Sequence, residues 1–474
     1  MTLLSSAMSQ PHIVLFPFMS KGHTIPLLHL GRLLLHRNVL ITIFTTPANH
    51  AFISEFLSGA DISIIDLPFP ENIPGISPGI ESTDKLPTMS LFIPFANGTK
   101  LMQPLFEEKL QNIHSQVSCI ISDGFLHWTL QSASRFGIPR LSFYGMGHYA
   151  SLLSRDAFAN GLLSLNESPD EPFTLPSFPW IKLTRNDFNE PFDKRDPSGP
   201  YLDFIMEAAI STTNSYGLLV NTFYELEQLF ADYYNREFQP KAWNVGPLCL
   251  AQPPNTELSP RHKPKWIHWL DQQLTKGCPV LYVAFGSQAK LSPTQLHEIA
   301  LGLEEAKVNF LWLLRDKVEL GDGFEEKVRE RGIIVKEWVD QKEILEHESV
   351  KGFLSHCGWN SVLEGICAEV PILAWPMMAE QYLNARMVTE EIKIGLRVNT
   401  VDGSVKGFVS GECLKNAVIE LMQSEKVGKL REKVKEVAEA ARKAVEEGGS
   451  SWHALTQLIS EIQMHKEING SKLS

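Results

Sequence analysis

Short apolar runs alternate with amphipathic stretches twice along this chain, and that rhythm restricts its fold more than any other feature. "HIVLFPF" reads as a strand, "IPLLHLGRLLLHR" as a helix, "VLITIFTT" as a strand and "HAFISEFL" as a helix. The strands "VSCIISD", "PRLSFY" and "GLLVNTF" follow. Alternation of this kind predicts a parallel sheet covered by helices on both faces, because parallel neighbours need a long crossover connection. Near Leu250 the rhythm stops at "LAQPPNTELSPRHKPK", where four prolines and few apolar residues read as an exposed linker. It restarts with a helix at "WIHWLDQQ", the strand "VLYVAFGS", a helix at "PTQLHEIALGLEEA", then the strands "NFLWLLR", "GIIVKEWV" and "VPILAWP". A charged helix is expected from about Ser424 to Glu447. At 474 residues the chain exceeds one ordinary core. The expectation is an α/β protein of two doubly wound domains, 1–250 and 266–474, joined by a proline-rich linker at 251–265 and facing a ligand cleft. The Pro/Gly-rich segment from Leu67 to Lys100 reads as a long loop, either a functional lid or a disordered excursion.

Charge narrows the partners. The formal charge is −12 at pH 7, which argues against nucleic acid or an anionic membrane surface. Six cysteines (Cys119, Cys249, Cys278, Cys357, Cys367, Cys413) form no C-x-x-C pair and read as reduced, buried thiols. "MTLLSSAMSQ" lacks the basic start of a secretory signal. The apolar stretch from Ile25 to Ile43 is interrupted by His29, Arg32, His36, Arg37 and Asn38, so it does not span a bilayer. A cytoplasmic location is expected.

One segment carries chemistry on its face. "FLSHCGWNSVLEG", Phe353 to Gly365, places His356, Asn360, Ser361 and Glu364 directly behind an apolar strand and at the start of a helix. The first N–H groups of a helix lack intrahelical acceptors and point outward, so a strand–turn–helix of this kind is an anion site. Its polar residues are candidates to hold a phosphate. Ser361 and Glu364 also have the S-x-x-E spacing of a helix capping box, a competing reading. No two aspartates stand as Asp-x-Asp, a common metal-binding pair, so no metal is expected.

The 44 residues from Trp338 to Gln381 resemble the secondary-product box of the plant family 1 UDP-sugar-dependent glycosyltransferases. The likeness includes Trp338-x-x-Gln341, "HCGWNSVLEG" and "PMMAEQ", and it extends to "FPFMSKGHTIPLLHLGRLL", "IISDGF", "LLVNTFYELE", "WNVGPL" and "VAFGS". It implies the GT-B fold, with an N-terminal acceptor domain, a C-terminal UDP-sugar domain and a last helix packing back on the first. Trp338, with Val339 beside it, matches the tryptophan that stacks on uracil. Gln341 and Glu364 match nucleoside-binding positions, Glu364 that for the ribose hydroxyls. His356, Asn360, Ser361 and Ser287 match the diphosphate side. Trp359, Glu380 and Gln381 match the residues that read the sugar, and Gln381 implies glucose as the donor sugar. Many relatives carry a serine or threonine near Gly145 that reaches the 6-hydroxyl; Gly145 has no side chain to do so, leaving xylose less firmly excluded.

The resemblance also places the general base at His23, at the entrance to a helix after the first strand, with Asp123 at the end of "VSCIISD" bonded to it. Such a carboxylate sets the imidazole tautomer and stabilises the charge gained on proton uptake. Leaving-group stabilisation then rests on helix-terminus N–H groups, His356 and hydroxyl donors, without a metal. Phe18, Met19, Phe92, Phe95, Phe125 and His148 lie in or beside the strand-end loops and suit a flat phenolic acceptor such as a flavonoid. The expected reaction is inverting transfer of glucose from UDP-glucose to a hydroxyl of that acceptor, by a monomeric enzyme without a cofactor. Carbon-linked glycosylation by the same dyad and a terpenoid acceptor are alternatives. A non-catalytic nucleotide-sugar binder would need a disrupted His23 or Asp123, and both are intact.

Overall fold

A computed structural model of the chain describes residues 10–251, 263–314, 320, 323–424 and 427–470. The proline-rich linker expected at 251–265 lies for the most part outside them. The first sheet holds seven parallel strands: β1 (His12–Phe16), β2 (Leu40–Thr45), β3 (Ile62–Asp66), β4 (Cys119–Asp123), β5 (Arg140–Tyr144) and, beyond a small antiparallel hairpin of β6 (Phe173–Thr174) and β7 (Lys182–Leu183), β8 (Gly217–Val220) and β9 (Ala242–Asn244). Their order across the sheet is β3-β2-β1-β4-β5-β8-β9. The second sheet holds six: β10 (Val280–Ala284), β11 (Asn309–Leu313), β12 (Gly332–Val335), β13 (Val350–Ser355), β14 (Ile372–Ala374) and β15 (Gly395–Arg397), in the order β12-β11-β10-β13-β14-β15. Central strands such as β1 and β10 are buried along their whole length, which is why they read as unbroken apolar runs. The α/β architecture with two parallel sheets is that of the GT-B fold.

Chain order reverses between β1 and β4 in the first sheet and between β10 and β13 in the second. Loops leaving adjacent strands at such a point diverge and open a crevice at the carboxyl ends, where α/β proteins bind ligands. His23 follows β1 and Asp123 ends β4, while Ser287 follows β10 and His356 follows β13. All four candidates therefore stand at the two switch points.

The two sheets share apolar packing. Leu218, Val220 and Phe223 lie in one buried cluster with Tyr282, Trp359, Val362 and Leu363. The final helix, Ser450–Gly470, sends Leu455, Leu458 and Ile462 into the cluster that holds Ile13, Leu15 and Ile121. The charged helix expected from Ser424 to Glu447 spans Gly428–Val445.

The segment from Leu67 to Lys100 corrects the expectation of a lid or a disordered excursion. It contains the turns Thr83–Lys85 and Met89–Leu91 and the helix Phe92–Gly98. Leu67, Phe69, Ile73, Leu86 and Phe95 from it are buried with Phe16 and Phe44. Its apolar residues are spaced irregularly, so the local pattern shows no period, yet those named share one buried cluster with Phe16 of β1 and Phe44 of β2. The six cysteines are free; Cys278 and Cys413 are partly exposed, against the expectation of burial. No described helix is long and apolar enough to cross a membrane.

Candidate active site

His23 stands in the first turn of the helix Lys21–Leu35, and its Nδ1 lies 2.8 Å from Asp123 Oδ2. The imidazole is 28% exposed and the carboxylate 1%. The second carboxylate oxygen accepts from Phe125 N at 2.9 Å, which fixes the rotamer of Asp123. With Nδ1 carrying its proton toward Asp123, Nε2 is the basic nitrogen. Burial pulls the imidazolium down, but the Asp123 charge and hydrogen bond outweigh it, with Glu380 adding, so the pKa of His23 ends raised.

Aromatic rings close around this dyad. Phe125 and Phe18 lie 4.9 and 5.5 Å from the His23 ring, centroid to centroid. Phe92 packs edge-on against both Phe18 and Phe125. Phe95 meets Phe18 and stacks on Phe69, and Phe18, Phe95 and Met19 are all buried. His148 departs from the expected acceptor set. It is buried, its Nε2 lies 2.7 Å from Asn244 Oδ1, and its ring packs on Tyr234. Two rings that the sequence reading missed complete the group: Tyr201 and Phe204, on the helix Pro200–Thr213, both pack on Phe92. The available signal was Gly199-Pro200 as a helix start, followed by aromatic residues three apart on one face. Burial, with Glu380 and Glu190 nearby, pushes the Tyr201 phenol up to about 12.

The other half supplies a cradle. The helix Trp359–Cys367 begins after Gly358 with no side-chain cap, leaving its first N–H groups available. Ser361 therefore lies inside the helix and no capping box forms. Instead the Gln341 amide donates to Ser361 Oγ at 2.8 Å and to Glu364 Oε2 at 2.6 Å, joining the two residues expected on the nucleoside side to one expected on the diphosphate side. Burial pushes the Glu364 carboxyl up to about 7. The His356 ring sits between two loop glycines: a Cβ at Gly286 or at Gly358 would lie 2.6 Å from its Nε2. Burial draws the His356 pKa down to about 4, so the ring is neutral rather than a standing cation. Its Nδ1 is buried without a hydrogen-bond partner among the described residues. Gly286 has φ +77°, and Cys357 has φ +62°, rare for a residue with a side chain. The Cys357 carbonyl accepts from the Asn384 amide at 3.0 Å, which supports that turn.

Trp338 is 54% exposed, with Phe52 of the other half 6.3 Å away edge-on, so one face of the indole is open to a flat ring; Val339 beside it is buried. Trp359 is different. Its indole is buried and donates to Asn221 O at 2.7 Å, which leaves only its backbone for a ligand. Gln381 Oε1 accepts from Met377 N and Met378 N at 3.0 Å each, holding the turn before it and leaving the amide NH2 as a donor. Glu380 is partly buried; burial raises its carboxyl, opposed by the nearby His23 charge. Asn360 reaches across, its amide donating to Gly22 O at 2.8 Å. At Gly145 an added Cβ would meet Gly22 O and Pro26 Cγ at an ordinary 3.5 Å. Among the described residues, no group of three or more His, Cys, Asp or Glu is placed to hold a metal ion.

Residues 267–432 match the sequence model of the UDP-glucoronosyl and UDP-glucosyl transferase family. UDP-glycosyltransferase 90A1 of Arabidopsis thaliana is 55% identical over 97% of this chain and 98% of its own length. UDP-glucose flavonoid 3-O-glucosyltransferase 7 of Fragaria ananassa is 34% identical, with 98% of each chain covered. Glycyrrhiza uralensis UGT73P12, solved with glycyrrhetinic acid 3-O-monoglucuronide, superposes with a TM-score of 0.86 at 30% identity, covering 98% of each chain. The box from Trp338 to Gln381, the paired parallel sheets and this degree of likeness agree: the chain belongs to the plant family 1 UDP-glycosyltransferases and is a UDP-sugar-dependent transferase.

Proposed function

We propose that the enzyme transfers glucose, with inversion, from UDP-glucose to a hydroxyl of a small phenolic acceptor, with His23 as general base and Asp123 as its support. The observation that carries this reading is the 2.8 Å contact between His23 Nδ1 and an Asp123 carboxylate that is almost fully buried. The acceptor O–H gives its proton to His23 Nε2 as the oxygen attacks the anomeric carbon from the face opposite the nucleotide. The bond from that carbon to the phosphate oxygen breaks, and UDP leaves with the electron pair. Asp123 stabilises the imidazolium that forms. The uncapped helix start at Trp359, with His356 and Ser287, stabilises the charge gathering on the diphosphate. Uracil stacks on the open face of Trp338, and the ribose hydroxyls meet Glu364.

The phenolic acceptor is supported by the rings of Phe18, Phe92 and Phe125 around His23, to which Tyr201 adds. The glucose assignment is supported by Glu380 and Gln381 and by the name of the Fragaria relative. His23→Ala tests the mechanism. With UDP-glucose and a phenolic panel, turnover is expected to fall about 10²–10⁴-fold, the usual worth of a positioned base, while UDP affinity stays put. Near-normal turnover on an un-ionised phenol would remove the base assignment.

A further inference from the structure

The turn that presents His23 is gripped from across the cleft. Ser20 occupies the N-cap of the His23 helix, yet its side chain makes no cap bond there. Its carbonyl accepts from His23 N at 2.9 Å and Thr24 N at 2.8 Å, so Ser20 and His23 move as one unit. The Ser20 hydroxyl is engaged elsewhere. Gln288, in the turn after β10 and next to Ser287, donates one amide nitrogen to Ser20 Oγ at 2.9 Å and to Thr83 Oγ1 at 2.7 Å. Thr83 N in turn donates to Met19 O at 2.9 Å, and both hydroxyl residues are buried. Two residues further on, the Lys290 ammonium reaches the carbonyls of Leu86 (3.5 Å) and Pro87. On the opposite flank Asn360 holds Gly22 O. The stretch from Ser20 to His23 is thus fastened at one end by Gln288 and near the other by Asn360. Both come from the half with the six-stranded sheet, Gln288 from the turn after β10 and Asn360 from the first turn of the helix Trp359–Cys367.

Energy and geometry lead to different conclusions about these bonds. A neutral hydrogen bond contributes about 0.5–1.5 kcal/mol net, a minor addition to the apolar packing already shared by the halves. A base must lie within hydrogen-bond reach of the proton it takes, and a displacement of about 1 Å costs roughly 10²-fold in rate. The same bonds that do little for cohesion therefore matter for placement.

We propose that Gln288 is a positioning residue: it sets the His23 turn and the adjoining Thr83 end of the acceptor wall only when the UDP-sugar half is closed onto the acceptor half. The base is then in register with the acceptor hydroxyl in the closed, donor-loaded enzyme and out of register otherwise. This rests on His23 as the base. Gln288→Leu keeps much of the side chain's bulk and removes the donor. Its kcat is expected to fall about 10- to 100-fold, with the Kd for UDP by calorimetry and the thermal midpoint held at wild-type values. The combined variant Ser20→Ala, Thr83→Val reproduces the loss from the other side, and adding Gln288→Leu to it lowers kcat no further. Wild-type kcat in Gln288→Leu overturns the proposal. So does a loss that follows weakened UDP binding or a lowered midpoint, and so does an additive triple variant. His23→Ala in the same assay separates the two ideas. If its turnover collapses while Gln288→Leu is unaffected, only the positioning role falls; if its turnover is near normal, the base assignment itself falls.

Discussion

Burial lowers the pKa of both histidines at this site, yet the two end on opposite sides of the ordinary value because their partners differ. His356 packs beside Gly286 and Gly358 and has no partner on Nδ1 among the described residues, so desolvation acts alone and the ring stays neutral. His23 has the Asp123 carboxylate, and that charge more than offsets desolvation. A raised imidazolium pKa means that His23 carries a proton, and is useless as a base, up to a pH above its ordinary 6.5. The acidic limb of kcat/KM is therefore expected above pH 6.5, with activity rising as pH rises through it. Asp123→Asn removes the charge that raises the pKa while desolvation remains, so the limb should move to lower pH as kcat falls. A limb that stays in place in the Asp123 variant would show that the carboxylate is not what tunes the base.

At the scale of elements, the half with the six-stranded sheet offers two loops whose backbones are arranged for close approach. The β13-to-helix turn passes through Cys357 with a left-handed φ and Gly358, and the β10 loop passes through Gly286. Both glycines leave room for the His356 ring, and a methyl group at either would overlap it. Gly358→Ala is the cleaner test, since its φ of −56° suits alanine and the only conflict is with His356. If His356 bonds the diphosphate as proposed, displacing that ring removes one hydrogen bond to a charged group, about 1.5 kcal/mol, and the Kd for UDP is expected to rise roughly tenfold in calorimetry. Unchanged UDP affinity in a well-folded Gly358→Ala protein would take His356 out of the phosphate cradle. The segment from Leu67 to Lys100 gives the converse case. It looks like a loop in composition and behaves as a wall, because Phe92 and Phe95 are buried against Phe18.

Over the whole molecule, the halves meet through apolar packing and through a few buried polar contacts far apart in sequence. Arg386, at the end of the helix Gln381–Arg386, donates through Nε to Asp187 Oδ1 at 2.7 Å. Asp187 is fully buried and also accepts from Thr184 N at 2.7 Å. Removing one member of such a pair leaves an uncompensated buried charge, which typically costs 3–5 kcal/mol. Arg386→Met is expected to lower the unfolding free energy by about 3 kcal/mol, the retained Thr184 bonds keeping it at the low end of that range. An unchanged denaturant midpoint would show that Asp187 is satisfied without its partner across the interface.

Much of the molecule was legible in the chain. The strands β1, β8 and β10 follow from apolar runs, since strands covered on both faces have little polar side to display, and β2, β4 and β5 were legible although they bury Thr42, Ser122, Arg140 and Ser142. The box from Trp338 to Gln381 marks one segment whose strand, turn and helix lie within a few residues of each other, so its local geometry is carried by its own order. Other features appear only when distant segments meet. Ser20 and Gln288 are 268 positions apart, Gly22 and Asn360 are 338 apart, and no local pattern pairs them. His148 looks like a pocket residue beside a strand-end loop, and it is buried because Asn244 and Tyr234 reach it from other elements. Trp359 looks like a sugar reader and proves to be a contact with Asn221 of the other half. Tyr201 and Phe204 join the His23 wall from a helix far along the chain. Residue type and spacing determine which groups are available for chemistry; only the approach of two separately formed sheets decides which of them share a site, because those distances depend on packing between segments that the order of residues leaves independent.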